Sequence, residues 1–280
     1  MITLSSDFGT PYPAAMKGVI LQRTDARLVD VAHDFPRQDV RTAAFWLREV
    51  LPYFPPATHL VVVDPGVGTD RNALVVRAGD HALVGPDNGV LLPAARRLAG
   101  DGGELETALI DEREIGPVEP TTPADSTADS SERASTTRST TFHGRDVFAP
   151  AAAAVHDAEV DSLGSLECLE SGTWAVDLEL PAAELEGGRA IGEVLVVDGF
   201  GNVITNVPGS SLDGRDRILA NGRSVPVGAT FAAVPAGERL ATVGSHGYVE
   251  LDVNRGRGDD AFGLEPGDRV VLEPTEDDSD

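Results

Sequence analysis

The sequence predicts two domains, an α/β N-terminal domain with a mostly parallel sheet over residues 1–180 and a smaller all-β, barrel-like C-terminal domain over residues 189–274. The first prediction rests on strand and helix signals that alternate along the first half of the chain. The second rests on short strand-like runs, separated by Gly, Pro and Asn, that begin at Arg189. A chain of 280 residues with 41% hydrophobic residues is large enough for two such cores.

Apolar spacing defines the elements of the predicted α/β domain. Residues Gln38–Leu51 have the spacing of an amphipathic helix, and Gly79-Asp80 closes a hairpin between two short apolar runs. The predicted strands are Met1–Leu4, Arg27–Ala32, His59–Asp64, Ala73–Ala78 and Ala82–Val84. The predicted helices are Ala14–Arg23, Gln38–Leu51, Val90–Leu98 and Phe148–Asp157. Ligands of such sheets bind beyond the carboxyl ends of the strands.

Three segments have a different composition. Residues Glu119–Thr140 contain Ser, Thr, Ala, Asp, Glu and Pro but no aromatic residue, which predicts an acidic, solvated insertion loop. Pro181–Gly188 is predicted to be a linker, and Thr275–Asp280 an acidic, frayed tail.

The predicted barrel domain consists of short strands with turn residues between them. These strands are Gly192–Val197, Val203–Asn206, Arg217–Leu219, Thr242–Val243, Tyr248–Val253 and Arg269–Leu272.

The charge of the chain is strongly negative and unusually composed. The net charge is −24, from 22 basic and 46 acidic residues, and Lys17 is the only lysine. Such a surface repels nucleic acids and anionic membranes, so neither is an expected partner. Dispersed acidic residues with almost no lysine are typical of proteins that work in concentrated salt, where a Debye length of about 3 Å at 1 M screens self-repulsion. We therefore expect a halophilic protein.

The sequence shows neither a targeting signal nor the cysteines needed for a disulfide or a thiolate metal site. Cys168 is the only cysteine, which excludes an internal disulfide and a thiolate metal site. The N-terminal residues lack a basic region followed by an apolar run, and no apolar stretch approaches about 18 residues. A location in a salt-rich cytoplasm is the expectation.

The stretch VVVDPGVGTDR, residues Val61–Arg71, carries the clearest chemical signal. A β-branched run delivers Asp64 to a Pro/Gly-rich turn, and Arg71 follows seven residues later. An arginine beside a carboxylate keeps it ionised and oriented, although an ion pair that only fixes the loop explains the spacing equally well. Asp7 and Asp34 also follow predicted strands, which favours a shared pocket, and His143 is a further candidate.

Other reaction classes have weaker support. The six histidines show no HxH or HExxH spacing, yet Asp and His at strand ends could still bind a metal in three dimensions, as in metallophosphoesterases. A GxSxG nucleophile motif and a P-loop are both absent from the sequence.

Seven short motifs, taken together, resemble those of one enzyme family. In chain order they are Ser5–Gly9, Val63–Gly68, Gly85–Gly89, Phe142–Asp146, Asp198–Asn202, Ser245–Tyr248 and Asn254. Each motif alone is weak, but their order is specific, and the resemblance spans the chain apart from the insertion and the tail. The set resembles the S-adenosyl-L-methionine hydroxide adenosyltransferase family, which is related to the fluorinase and chlorinase enzymes.

The resemblance implies a function and an assembly. It implies an α/β domain and a β-barrel domain, assembled as a homotrimer with sites at subunit interfaces. It implies that S-adenosyl-L-methionine is the substrate, that no metal and no cofactor are needed, and that the catalytic residues are Asp64, Arg71 and His143.

The resemblance also implies the residues that hold the substrate. Asp7 would bind the ribose hydroxyls, and Phe200 and Asn202 would hold adenine, together with the backbone near Asn254. Asp198 and Ser245 would bind the amino-acid group of the methionine. His246 stands where the halogenases carry an arginine, so its role in binding the carboxylate is an open question.

The implied reaction is attack of water or hydroxide at the ribose 5′ carbon, which gives adenosine and L-methionine. Asp64 and His143 would orient the water and take its proton, and Arg71 would favour hydroxide electrostatically. The alternatives are a chloride adenosyltransferase that gives a 5′-halo-5′-deoxyadenosine, a non-catalytic protein that binds S-adenosylmethionine or adenosine, and a metal-dependent hydrolase. A histidine at position 143, where the halogenases have an aromatic residue, favours water.

Overall fold

A computed structural model of the chain describes residues 1–116, 118, 139–158 and 163–275. The chain divides into two compact units, an N-terminal unit of residues 1–179 and a C-terminal unit of residues 180–280. The predicted insertion loop lies outside the described residues except for 139 and 140, and so does the predicted acidic tail except for 275. No helix in the described part of the chain has the length and apolar character needed to cross a bilayer.

The N-terminal unit is a seven-stranded sheet with helices, in the spatial order β2-β1-β3-β5-β4-β6-β7. Its strands are β1 Ile2–Ser6, β2 Leu28–Ala32, β3 Thr58–Val62, β4 Ala73–Ala78, β5 His81–Pro86, β6 Leu105–Ile110 and β7 Leu169–Ser171. Its helices are α1 Tyr12–Leu21, α2 Val40–Val50, α3 Leu92–Ala99 and α4 Ala149–Asp157, with a π-helical turn at Gly144–Phe148 before α4.

The α/β class is confirmed, but the sheet is mixed rather than mostly parallel. Strands β2, β1, β3 and β5 form a parallel block, whereas β4 pairs antiparallel with β5 and β6, and β7 pairs antiparallel with β6. The predicted hairpin at Gly79-Asp80 is the reason: its two-residue turn returns β5 to the parallel block beside β3 and leaves β4 outside it, where β6 and β7 extend the sheet.

The sheet is buried on both faces. Helices α1 and α4 contribute to one apolar core, and α2 and α3 to a second. Strand β3 and the residue after it divide between the two, with Leu60 and Val62 in the first core and Val61 and Val63 in the second. This arrangement explains the uninterrupted apolar run before Asp64, because a strand covered on both faces has no solvent side.

The C-terminal unit is an antiparallel sheet that closes nearly into a barrel, in the order β12-β11-β15-β9-β10-β14-β13 with β8 paired to β9. Its strands are β8 Glu184–Glu186, β9 Arg189–Val197, β10 Val203–Pro208, β11 Arg217–Ala220, β12 Arg223–Pro226, β13 Arg239–Val243, β14 Tyr248–Val253 and β15 Arg269–Pro274. A bridge between Val227 and Ala241 connects the two ends of this order.

Three features of this unit differ from the sequence expectation, and the first is strand β12, which the predicted strands do not include. The predicted linker Pro181–Gly188 contains β8, whose residues pair in register with β9. A short helix, α5 Gly258–Phe262, interrupts the strands. Both were hidden by their composition, since β8 is three exposed residues with two glutamates and α5 contains two aspartates.

Candidate active site

Strand β3 delivers Asp64 to a tight loop, and Arg71 returns to bind it. The Arg71 Nε donates to Asp64 Oδ1 at 2.9 Å and Nη2 donates to Oδ2 at 2.5 Å. Both side chains are nearly buried, with exposed fractions of 5% for Asp64 and 10% for Arg71. Two parallel charge-assisted bonds fix the plane of the carboxylate, and each carboxylate oxygen keeps a lone pair for a further donor.

Arg71 also binds the third predicted catalytic residue. Its Nη2 lies 3.0 Å from His143 Nδ1. Because a guanidinium can only donate, Nδ1 is the acceptor, and a neutral His143 ring therefore carries its hydrogen on Nε2. The guanidinium further lies 5.0 Å from the centroid of the Phe148 ring, so one arginine connects the Asp64 loop to the segment that precedes α4.

Contacts with the backbone of β3 and of Val63 hold this loop at the end of the sheet. Asn88 donates from Nδ2 to Val63 O at 2.9 Å, which ties the end of β3 to the loop after β5. Gly85 has no space for a side chain, because a Cβ would lie 2.4 Å from Val61 O. The motif at residues 85–89 therefore positions Asp64 by contacting the backbone carbonyl groups of Val61 and Val63.

A cavity of about 310 Å³ opens beside the pair. Its lining includes Asp7, at the carboxyl end of β1, together with Asp64 and His143. Asp7 Oδ2 accepts a hydrogen bond from Gln38 N at 2.6 Å. Asp34, the third carboxylate expected there, is exposed and is not among the residues that line the cavity. The structure thus brings together two of the three strand-end aspartates.

The predicted substrate-binding loop of the C-terminal unit is organised around Asp198. Its Oδ1 accepts from Phe200 N at 2.8 Å and Asn202 N at 2.9 Å, and its Oδ2 accepts from Asn202 Nδ2 at 3.0 Å. Gly201, at φ +88°, completes the turn. The carboxylate is therefore occupied with its own loop, while the Phe200 side chain is 81% exposed.

The remaining predicted residues lie on two other turns. Ser245 and His246 belong to the four-residue turn between β13 and β14, where Gly247 N bonds to Gly244 O at 3.0 Å. Asn254 follows β14, and its Nδ2 donates to Val234 O at 2.7 Å. The Asn254 backbone N and O bond to Glu238 O and Gly237 N, so both are already paired.

Two carboxylates of strand β14 were missed by the sequence reasoning. Glu250 is 7% exposed, and its side chain fills the space beside Gly244. Asp252 is fully buried, and both of its carboxylate oxygens lack a hydrogen-bond partner among the described residues. Burial, with a smaller effect from Asp198, raises the pKa of Glu250 to about 7. Burial, followed by the charges of Glu250 and Asp198, raises the pKa of Asp252 to about 8.

The sequence signal for these two carboxylates is the alternation of apolar and acidic residues in Tyr248–Val253. Val249 and Leu251 belong to the barrel core, so Glu250 and Asp252 share the opposite face. Alternate carboxylates on a strand normally indicate a solvated face, and only the structure shows that this one is buried.

In the described part of the chain, no group of three or more His, Cys, Asp or Glu side chains is arranged to hold a metal ion.

Both units of the chain match domains of one known protein family. Residues 2–164 match the model of the SAM hydroxide adenosyltransferase N-terminal domain, and residues 192–271 match that of its C-terminal domain. A protein of Salinispora tropica named (R)-S-adenosyl-L-methionine hydrolase is 40% identical over 274 residues, which is 96% of each chain. One of the same name from Thermus thermophilus is 41% identical over 95% of this chain and 97% of its own.

Solved structures give the same relationship. The crystal structure of an uncharacterized conserved protein from Thermotoga maritima has a TM-score of 0.78 and 31% identity, and covers 98% of this chain and 100% of its own. The crystal structure of a conserved hypothetical protein from Thermus thermophilus has a TM-score of 0.69 and 38% identity, and covers 97% of this chain and 98% of its own. The resemblance expected from the short motifs is therefore confirmed, and the chain belongs to the SAM hydroxide adenosyltransferase family.

Proposed function

We propose that this protein is an enzyme that hydrolyses S-adenosyl-L-methionine to adenosine and L-methionine. The observation that carries the proposal is the arrangement around Arg71, whose guanidinium binds the Asp64 carboxylate and His143 Nδ1 beside the same cavity. The curated relatives, which carry the name of this activity over nearly their full length, support it.

The reaction needs one new bond and one broken bond. A water oxygen bonds to the ribose 5′ carbon as the carbon–sulfur bond breaks, and sulfur keeps the electron pair as the neutral thioether of methionine. The water loses one proton. Because the sulfonium is already an activated leaving group, the protein needs mainly to place the water and to accept that proton.

The hydrogen-bond directions support a distinct proposed role for each of the three residues. His143 Nδ1 is occupied by Arg71, so the neutral ring acts through Nε2–H, which donates to the water oxygen. Asp64 then takes the proton, and Arg71 holds both groups and favours a developing hydroxide. This assignment is narrower than the sequence reasoning, which gave proton transfer to Asp64 and His143 together.

The substrate contacts stay a proposal drawn from the family resemblance. Asp7 binds the ribose hydroxyls, Phe200 and Asn202 hold adenine, and Ser245 contacts the methionine group. The exposed ring of Phe200 is consistent with stacking. The Asp198 carboxylate accepts hydrogen bonds from its own loop. We therefore propose two roles for it, which are to fix the shape of that loop and to contact the amino group of the substrate.

His246 and Asn254 complete the proposed set of contacts. His246 lies on the same turn as Ser245 and binds the substrate carboxylate in place of an arginine. Asn254 contributes near adenine. We further propose a homotrimer with sites at subunit interfaces, no metal or cofactor, and a salt-rich cytoplasm as its location, the last because of the net charge of −24.

Product analysis tests the proposed function directly. The purified protein, incubated with S-adenosyl-L-methionine in high KCl and ¹⁸O-labelled water, is expected to release equal amounts of adenosine and methionine. Mass spectrometry should find the label in the adenosine 5′ hydroxyl, because water attacks carbon. A chlorinated nucleoside, or binding without turnover, would contradict hydrolysis. Loss of activity in EDTA would contradict the metal-independent mechanism.

Substitutions at His143 test its role as a donor. We expect His143→Ala to lower kcat about 100-fold, and His143→Gln to retain several times more activity, because the Gln amide N–H can donate to water. The measurement is adenosine release at saturating substrate, with thermal unfolding as the check on folding. Equal loss in both variants would instead favour His143 as the proton acceptor.

A further inference from the structure

Three aromatic side chains line the same cavity as Asp64 and His143. They are Phe8, Tyr12 and Phe142. Their ring centroids lie 6.0 Å apart for Phe8 and Tyr12, 6.1 Å for Phe8 and Phe142, and 5.4 Å for Tyr12 and Phe142. The corresponding angles between the ring planes are 83°, 89° and 79°. Three planes that are pairwise nearly perpendicular meet like the faces at the corner of a box, and we call this group the aromatic corner.

The chain builds the aromatic corner from the segments that carry the candidate catalytic and ribose-binding groups. Phe8 follows Asp7 at the end of β1, Tyr12 begins α1, and Phe142 precedes His143. Tyr12 is 54% exposed although its ring contacts both others. Rings that served only as core would be buried, so this exposure indicates a surface available to a ligand.

The charges around the cavity favour a cation. Among the described residues that line it, Asp7 and Asp64 are carboxylates, Asp64 being already paired with Arg71, and neither lysine nor arginine is present. The Arg145 guanidinium lies 5.5 Å from the centroid of the Phe142 ring, so this ring already accepts one cation. The faces of aromatic rings carry negative potential and attract cations within about 6 Å of the ring centroid, as in the aromatic cages that bind quaternary ammonium groups. A cation without N–H or O–H donors suits such a surface, because it forms no strong hydrogen bonds that would be lost on leaving water.

We propose that the aromatic corner binds the sulfonium centre of the substrate and distinguishes it from uncharged thioethers. The inference rests on the proposed function and adds three residues to it. When the carbon–sulfur bond breaks, the positive charge on sulfur disappears. The aromatic corner therefore attracts the substrate more strongly than the methionine product, and favours release of that product.

This role has a kinetic signature. Because the charge on sulfur decreases toward the transition state, the aromatic corner stabilises bound substrate at least as much as the transition state. Its loss should weaken binding without lowering kcat. A residue that only maintained the shape of the cavity would affect charged and neutral ligands alike.

Tyr12→Leu is the first test. We expect KM for S-adenosyl-L-methionine to rise about 2- to 30-fold, with kcat nearly unchanged. The inhibition constant of S-adenosyl-L-homocysteine, the neutral thioether of the same shape less one methyl group, should change less than about 2-fold. Tyr12→Phe should restore the wild-type ratio of the two constants. Tyr53→Leu replaces an exposed tyrosine that does not line the cavity and serves as the matched control.

A second substitution keeps the shape of the ring. Trifluorophenylalanine at position 142 withdraws electrons from the ring face, so KM for the sulfonium should rise while thioether inhibition stays constant. This variant tests the proposed sulfonium binding even if Tyr12→Leu does not fold. Equal changes for both ligands, in either variant, would overturn the proposal. If the wild-type protein binds the sulfonium selectively through these rings but releases no adenosine, hydrolysis is wrong and the aromatic corner stands.

Discussion

Asp64→Asn is expected to lower kcat for adenosine formation about 1000-fold while KM stays within a few-fold of the wild-type value. Asparagine has the shape of aspartate, so it fits the loop and can still accept one hydrogen bond from Arg71. Its amide does not take a proton from water, and one of the two charge-assisted bonds is lost. The rate is measured as adenosine released at saturating S-adenosyl-L-methionine.

The control for this variant is Asp70→Asn, which removes an exposed carboxylate from the same loop. It should retain near-normal kcat. Since Asp64→Asn also leaves the nearly buried Arg71 charge without its partner, the free energy of unfolding is expected to fall by about 3 kcal/mol or more. Rates must therefore be compared well below the unfolding temperature. A folded Asp64→Asn enzyme with more than a tenth of the wild-type kcat would exclude Asp64 as the proton acceptor.

Asp252→Asn is expected to stabilise the protein at pH 8 by an amount on the order of 3–6 kcal/mol. The folded-state pKa of about 8 lies well above the ordinary value of 3.8 for an aspartate side chain. The folded state therefore favours the protonated acid, and its stability falls as pH rises from about 4 to about 8. Asparagine is neutral at every pH and removes this loss. The gain should be small near pH 4 and disappear below about pH 3, where the carboxyl is protonated in both states.

Denaturant unfolding at pH 4, 6 and 8 measures the effect. Asp213→Asn, at an exposed position of the same unit, makes the same change in net charge and should alter stability little. The two variants should also respond differently to salt, because KCl screens a surface carboxylate but hardly affects a buried one. A pH-independent difference, or destabilisation by Asp252→Asn at pH 8, would show that the carboxylate has a favourable partner in the folded protein.

Local pattern was sufficient for the elements nearest the site. The run before Asp64 and the hairpin at Gly79-Asp80 were found because apolar periodicity and turn residues are local signals. Strands β6 and β7 were not among the predicted strands, and their antiparallel pairing depends on which distant edge of the sheet is free. One local signal was overlooked: Asn221-Gly222, a strong hairpin turn, joins β11 to β12 and carries positive φ at both residues.

The site was predictable to a similar degree. Spacing alone left Asp64 and Arg71 as an even choice between a structural ion pair and a reactive group. The structure shows the ion pair and adds His143 to it. The tautomer of His143 and the burial of Glu250 and Asp252 were out of reach of the sequence, because each depends on contacts between segments that are far apart in the chain.

Strand β3, shared by two apolar cores, has a consequence for directed evolution of this enzyme. Its successive residues are anchored in opposite layers, so repacking either layer can shift the carboxylate at its end. A random library screened for activity will therefore yield hits deep in both layers, many ångströms from any ligand. Such hits report a shift of the Asp64 carboxylate at the end of β3, and should not be mistaken for a second binding site.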